Sequence, residues 1–193
     1  MEAQQLRAMI ASAKAGRAEG YEVLLEAYGP RLYGYFFRAT RSHHDAEDML
    51  ADMALRLVRK LRSYDERGRF EPWLFRIAAN MVRDRLRRRK VSPPAVSLSE
   101  AGESGDSLGD RIAGRPKPVD AELLAHEASE RLNAALEKLD MTTRQMILLR
   151  HFGEMSFREL SELFGSPIGT VLARVHRGLK TLRRLMGAEK PDA

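Results

Sequence analysis

Apolar residues recur along this chain at helical spacing, and no stretch alternates with period two for long enough to build a sheet. From Tyr21 to Thr40 the apolar positions Val23, Leu24, Ala27, Leu32, Tyr35 and Phe36 predict a helix that Gly29-Pro30 breaks or kinks. Ser42-His43-His44-Asp45 resembles a capping box, with Asp45, Glu47 and Asp48 at the positive end of the helix that follows. Met49, Leu50, Met53, Ala54, Leu57, Val58 and Leu61 predict one buried face for that helix, and Arg56, Arg59, Lys60 and Arg62 crowd its last turns. A polar loop, Ser63 to Arg69, leads to a helix expected to begin near Pro72. Its apolar face is Trp73, Leu74, Ile77, Ala78, Met81 and Val82. A separate stripe carries Arg76, Asn80, Arg83, Asp84 and Arg87, and five of the six residues Arg85–Lys90 are basic.

The pattern lapses between Val91 and Val119. That stretch is rich in Pro, Gly and Ser, lacks aromatics and is near neutral, with Glu100, Glu103, Asp106 and Asp110 against Arg111, Arg115 and Lys117. It predicts a flexible linker between two helical domains, 1–90 and 120–193. In the second domain helices are expected over 121–139 and 143–151. Ser156-Phe-Arg-Glu159 is a capping box opening a short helix to Phe164, and Gly165 is a natural stop. Ser166 and Pro167 are placed to open a last helix that buries Val171, Val175, Leu179 and Leu182. The expected fold class is all-α, as two small helical domains.

Composition narrows the function classes. The 193 residues are 44% hydrophobic and 31% charged, which suits a folded chain. Thirty-three Lys and Arg against 27 Asp and Glu give a formal charge of +6, which suits a polyanionic partner. Cysteine is absent, which removes disulfides, Cys-ligated zinc and thiol catalysis together. Residues 1–17 form an alanine-rich amphipathic stretch unlike a signal peptide. Nowhere do about 18 apolar residues run together to span a membrane. The expectation from composition is a soluble, intracellular, basic protein.

Two constellations carry chemistry. Ser156 to Met186 has the form of a helix-turn-helix: capped short helix, turn glycine, then a helix with no acid from Pro167 to Ala188 but with Arg174, His176, Arg177, Lys180, Arg183 and Arg184. Such a helix fits the major groove, where its arginines reach phosphates or guanine edges. The Arg76–Arg87 stripe, with Trp73 and Phe75 nearby, suits a phosphate backbone, and an aromatic and an asparagine beside a loop suit an unstacked base. Trp73 by itself reads as core. His43-His44 beside Asp45 and Asp48 reads as a helix start rather than a metal site. There is no phosphate-binding glycine loop, nucleophile elbow or zinc signature, so neither an enzyme nor a cofactor is expected.

On these residues the chain resembles the extracytoplasmic-function sigma factors of the sigma-70 family. Asp45–Asp48 (DAED), Trp73–Asn80 (WLFRIAAN) and Asp84–Arg89 (DRLRRR) are similar to their second region. Leu136–Leu139 (LEKL), Arg144–Arg150 (RQMILLR) and Gly169–Val171 (GTV) with Arg174, Val175, His176 and Arg177 are similar to their fourth. The resemblance runs from about Leu6 to Met186.

It implies a promoter-specificity subunit. The helix from Asp45 to Leu61 would dock on the β′ clamp helices of core RNA polymerase through Asp45, Glu47, Asp48, Asp52 and Arg56. The loop Ser63–Phe70 and the next helix would capture a flipped base of the minus-ten element, with Tyr64, Arg69, Phe70 and Trp73, then Arg76, Asn80, Arg83 and Arg87, on the melted strand. The second domain would bind the β flap and read the minus-thirty-five element through Arg158, Thr170, Leu172 and Ala173, then Arg174, His176, Arg177 and Lys180. An anti-sigma factor is an implied partner, and the linker would thread near the active centre.

The chain also departs from the family. Ala51 and Ala54 stand where a glutamine and a large aromatic are usual, and Leu139-Asp140 where Leu-Pro is frequent. Leu172 and Ala173 replace a cation and a serine, which leaves apolar contact with a thymine methyl in place of hydrogen bonds. The alternatives are a sigma-like decoy that sequesters an anti-sigma factor, or a simple helix-turn-helix regulator, which leaves the first domain unexplained.

Overall fold

The computed structural model describes residues 3–65, 67–91 and 119–187. These form eight helices and no strand, and the chain divides into two compact units at Gly114–Arg115. The segment expected as a linker lies, apart from its end residues, outside the described residues, as does Glu66 in the loop.

The first unit holds α1 (Ala3–Lys14), α2 (Ala18–Thr40), α3 (His43–Leu61) and α4 (Phe70–Val91). The helix α1 buries Ile10 and Ala13. It meets α2 so closely that a Cβ on Gly20 would lie 2.4 Å from the backbone nitrogen of Ala13. Of the expected break or kink at Gly29-Pro30, the break does not occur: α2 continues as one helix through Pro30. A helix-interior proline costs about 3 kcal/mol. The burial of Leu24 and Tyr28 before it, and of Leu32, Tyr35 and Phe36 after it, returns about 2 kcal/mol per large side chain. Tertiary packing therefore carries the helix across the proline.

Only half of the expected capping box forms at α3. The Ser42 side chain accepts the Asp45 backbone N–H at 3.1 Å, but the Asp45 carboxylate does not reach back. Instead it is 2% exposed and ion-paired with Arg85 and Arg89 of α4; the Arg85 Nε donates to it at 3.1 Å. The buried face of α3 is narrower than its apolar pattern, being Ala46, Met49, Met53, Leu57 and Leu61. Leu50 and Ala54 are half-buried and Val58 is exposed. The pattern has seven apolar positions, and the helices packed on α3, namely α1, α2 and α4, cover only the central row of them.

The helix α4 begins at Phe70, two residues before the expected Pro72. Phe70 and Phe75 are both fully buried. Phe75 meets Tyr35 edge-on at 5.8 Å, so it is core and not part of an aromatic nucleic-acid surface.

The second unit holds α5 (Val119–Glu137), α6 (Met141–Phe152), α7 (Phe157–Phe164) and α8 (Ile168–Leu185). The capping box at Ser156 forms in full: Ser156 N–H donates to Glu159 Oε2 at 2.7 Å, and Glu159 N–H to Ser156 Oγ at 3.3 Å. Gly165 ends α7 in the left-handed region at φ 60°. The helix α8 starts one residue later than expected, with Pro167 itself as N-cap and no side-chain cap. Its buried stripe is Val171, Val175, Gly178 and Leu182, while the expected Leu179 is exposed. Gly178 takes that place because a Cβ there would lie 2.6 Å from Thr143 Cγ2 and 2.7 Å from Ile147 Cδ1. The α6–α8 crossing has no room for a side chain.

Removing both arginines from a buried carboxylate leaves an uncompensated charge, a loss of about 3–5 kcal/mol. The double variant Arg85→Ala, Arg89→Ala is expected to lose about that much, and adding Asp45→Ala to recover part of it. Urea denaturation followed by Trp73, the single tryptophan of the chain, reports on the first unit alone and checks the order of these three proteins.

Candidate nucleic-acid and polymerase-docking surfaces

The outer side of α3 mixes acids with aliphatic side chains. Glu47, Asp48 and Asp52 are exposed, and so are Ala51, Leu55 and Val58. Leu55, at 59% exposed, is the most exposed large hydrophobic residue described. Of the five residues expected to dock on polymerase, Glu47, Asp48 and Asp52 therefore lie on this face and Arg56 is half-buried. Asp45 is withdrawn into the Arg85–Arg89 pair. Asp48 is itself 3.7 Å from Arg85 and 3.6 Å from His44. The sequence reading missed Leu55. Its signal was present, since it is the one large aliphatic off the i, i+3, i+4 rows of this helix.

The loop between α3 and α4 is pinned at both ends. At its entry the Lys14 ammonium donates to the Tyr64 carbonyl at 2.7 Å, a contact between elements far apart in sequence. At its exit the Tyr28 hydroxyl donates to Glu71 Oε1 at 2.6 Å. Beneath it lies an aromatic cluster: Tyr64 to Trp73 at 4.6 Å, Tyr64 to Phe70 at 5.5 Å and Tyr28 to Phe70 at 5.3 Å between ring centres. Tyr64 and Phe70 are buried and Trp73 half-buried. These three expected base-contacting residues form a pedestal, with only Trp73 partly offered to solvent. Asp65, Arg67, Gly68 and Arg69 are exposed above it, and Arg67 pairs with Asp65 at 2.7 Å.

Arg76, Asn80, Arg83 and Arg87 are all exposed along one side of α4, because spacings of four, three and four keep them in one narrow arc. Arg83 acts electrostatically on the Tyr35 phenol beneath it: burial pushes that phenol well above its ordinary range and the arginine charge draws it part of the way back. Arg87 lies 3.4 Å from Asp84. The basic run at the end of α4 is thus split by fold. Arg85 and Arg89 turn to Asp45, while Arg87 and Arg88 face solvent.

In the second unit the exposed positions of α8 include Thr170, Leu172 and Ala173, then His176, Arg177 and Lys180. Arg158 of α7 is exposed and lies 3.4 Å from Glu162. Arg174 is half-buried, and its Nη1 donates to Asp140 Oδ1 at 3.1 Å. Asp140 is the N-cap of α6 and accepts from Thr143 N–H at 3.0 Å and Thr143 Oγ1 at 2.6 Å. A cavity of about 370 Å³ opens here, lined in part by Lys138, Asp140, Arg174 and Arg177. Desolvation pushes the Asp140 carboxyl up, but the Thr143 hydrogen bonds and the Arg174 charge outweigh it and hold the group below the ordinary carboxylate range. Among the described residues no cluster of metal-ligating side chains occurs. His43 instead stacks on Phe37 at 4.2 Å and shares a 2.6 Å hydrogen bond with Tyr33.

Two family models match this chain: sigma-70 region 2 over residues 24–91, and sigma-70 region 4 over residues 129–182. Together they cover well over half of its length. The chain belongs to the sigma-70 family, in its extracytoplasmic-function group. It directs RNA polymerase to promoters. The RNA polymerase sigma factor CarQ of Myxococcus xanthus is 31% identical over 89% of this chain and 92% of the relative. The extracytoplasmic-function sigma factor SigW of Bacillus subtilis is 29% identical over 93% and 95%. Two solved structures share the fold. CnrH in complex with the cytosolic domain of CnrY has a TM-score of 0.62 at 23% identity, covering 95% of this chain and 98% of that one. The sigma factor RpoE of Bartonella quintana, in complex with the anti-sigma factor NepR, also has 0.62, at 21% identity over 90% and 100%. No helix among the described residues of this sigma factor is long and apolar enough to cross a membrane.

Asp140 gives this sigma factor a pH-dependent element. Its folded pKa is depressed, so its contribution is present above the unfolded value of about 3.9 and lost as pH falls through the folded value. Asp140→Ala is expected to cost about 1 kcal/mol near neutral pH, the usual worth of such a cap, and the gap to wild type to close below the carboxylate range. Amide hydrogen exchange in α6, followed from pH 7 to pH 3, checks this.

Proposed function

We propose that this sigma factor divides promoter work among four surfaces. The outer face of α3 docks on the β′ clamp helices of core polymerase through the Ala51, Leu55 and Val58 ridge bordered by Glu47, Asp48 and Asp52. The α4 stripe holds the melted strand of the minus-ten element, with Arg76, Arg83 and Arg87 on phosphates and Asn80 toward a base. The loop above Tyr64, Phe70 and Trp73 captures the flipped base. The exposed face of α8 reads the minus-thirty-five element, with Arg177 and Lys180 on phosphates. The observation that carries this reading is the α4 stripe: three guanidiniums and one amide share a solvent-facing arc, while Arg85 within that stretch and Arg89 just beyond it are paired with Asp45. Fixed cations along a groove suit a backbone, and one amide among them suits a base edge.

The domain assignment is 1–90 for polymerase docking and minus-ten recognition, 91–119 as linker and 120–193 for the minus-thirty-five element and the β flap. The protein acts by binding and positioning, without catalytic chemistry of its own, in the bacterial cytoplasm. An anti-sigma factor is its regulatory partner. That assignment draws on the solved CnrH and RpoE structures, each of which is a complex with such a partner or with the cytosolic domain of another protein. A second reading, a decoy that only sequesters an anti-sigma factor, draws on Leu172 and Ala173, which lack the hydrogen-bonding groups usual there, and on Ala51 and Ala54, which replace the glutamine and large aromatic usual in the docking helix.

Transcription in vitro with core polymerase separates these readings. Discrete starts sharing an upstream sequence are expected, and their absence with a folded protein favours the decoy. Arg83→Ala with Arg87→Ala is expected to weaken open-complex formation at every promoter and to flatten its salt dependence by roughly two phosphate contacts. Asn80→Ala is expected to act unequally across promoters. Leu55→Asp is expected to weaken binding to core polymerase by about tenfold or more without unfolding the protein, since Leu55 contributes little to the core. Competition against a labelled wild-type sigma factor reads that loss.

A further inference from the structure

The helix-turn-helix presents an unusual reading edge. The first six residues of α8, Ile168 to Ala173, contain a single polar side chain, Thr170. Val171 is buried in the core, Gly169 has no side chain, and Ile168, Leu172 and Ala173 are exposed, Ile168 at 49% and Leu172 at 43%. The cations begin only at Arg174, which is already held by Asp140. In a helix-turn-helix the N-terminal residues of the second helix lie against the base edges, and those further along reach the backbone. The major groove offers donors, acceptors and one apolar group, the C5-methyl of thymine. An exposed aliphatic pair at this position desolvates guanine O6 and N7 without replacing their hydrogen bonds, which is unfavourable. Against thymine methyls the same pair buries apolar surface on both sides.

We infer that the upstream element is read chiefly through thymine methyl groups, with Leu172 as the specificity-determining residue and Ala173 beside it. This rests on the assignment of α8 to the minus-thirty-five element and deepens it. In this reading Arg177 and Lys180, further along α8, meet the backbone, and with Thr170 the one polar side chain at the edge, base preference falls chiefly to the aliphatic pair. The preferred sequence carries thymine, on one strand or the other, at the positions facing Leu172 and Ala173.

The test uses holoenzyme assembled from core polymerase and the full chain. Duplexes are selected from a library randomised over the upstream element, and the selected sequence is then rebuilt with deoxyuridine for thymine, which removes only the methyl. The expected result is thymine enrichment at one or two positions, a loss of roughly fourfold in affinity per methyl removed, and no such loss in Leu172→Ala. Leu172→Arg is expected to move the preference at that position to guanine. A retained upstream preference with no response to deoxyuridine overturns the inference while leaving α8 as the reader. No upstream preference at all, with Arg177→Ala and Lys180→Ala equally silent, overturns the assignment of α8 and the inference with it.

Discussion

Asp45 lies inside the first unit with its carboxylate between Arg85 and Arg89, and much of the architecture around it follows from that contact. A buried carboxylate is tolerated only when its charge is matched. Arg85 and Arg89 are four residues apart and so emerge on the same face of α4. Together they tie the first turn of α3 to the last turns of α4. The same contact sorts the basic run at the end of α4. Arginines on the inner arc turn to Asp45, and those on the outer arc stand at the solvent-exposed side of α4. Without this division, five basic residues in six would form an undirected cationic tail. With it, the positive charge lies in a stripe continuous with Arg76, Asn80 and Arg83.

A related economy operates in the second unit. Gly178 allows α8 to lie directly on α6, and Asp140 then reaches from the start of α6 to Arg174 on α8. One carboxylate thus caps α6 and braces α8. The departure from the family's frequent Leu-Pro at Leu139-Asp140 acquires a physical meaning here. Proline favours a helix start through its fixed φ, whereas aspartate reaches the same end through hydrogen bonds and gains an ion pair to the neighbouring helix.

The proposed surfaces differ in chemistry because their partners differ. The outer face of α3 joins aliphatic side chains to carboxylates, which suits a protein helix with cations at its rim. The outer arc of α4 is cationic, which suits phosphate. The edge of α8 is aliphatic where bases would lie and cationic where the backbone would lie. On the proposed assignment the two units carry separate contacts, and linking such contacts raises affinity wherever the geometry lets both engage.

Most of the helices were legible in the sequence because their apolar rows, capping residues and turn glycines agree locally. Ser156, Glu159 and Gly165 bracket α7 as their chemistry requires. The solvent-facing stripe of α4 was legible too, since helical spacing alone places Arg76, Asn80, Arg83 and Arg87 on one arc. Other features depended on what lies opposite a residue in space, which periodicity does not encode. Pro30 passed through a helix because neighbouring elements bury the side chains around it. Phe75, Tyr64 and Phe70 became core. Val58 and Leu179 stayed exposed because the facing helices cover only a central row. Asp45 exchanged a helix cap for two arginines forty and more residues away, and Lys14 found the Tyr64 carbonyl fifty residues on. The sequence by itself determined which segments are helical, where cations cluster and which family the motifs resemble, because those properties are local. Only the tertiary structure decided which charges are paired in the interior and which stand at the surface, because that choice depends on contacts between residues distant along the chain.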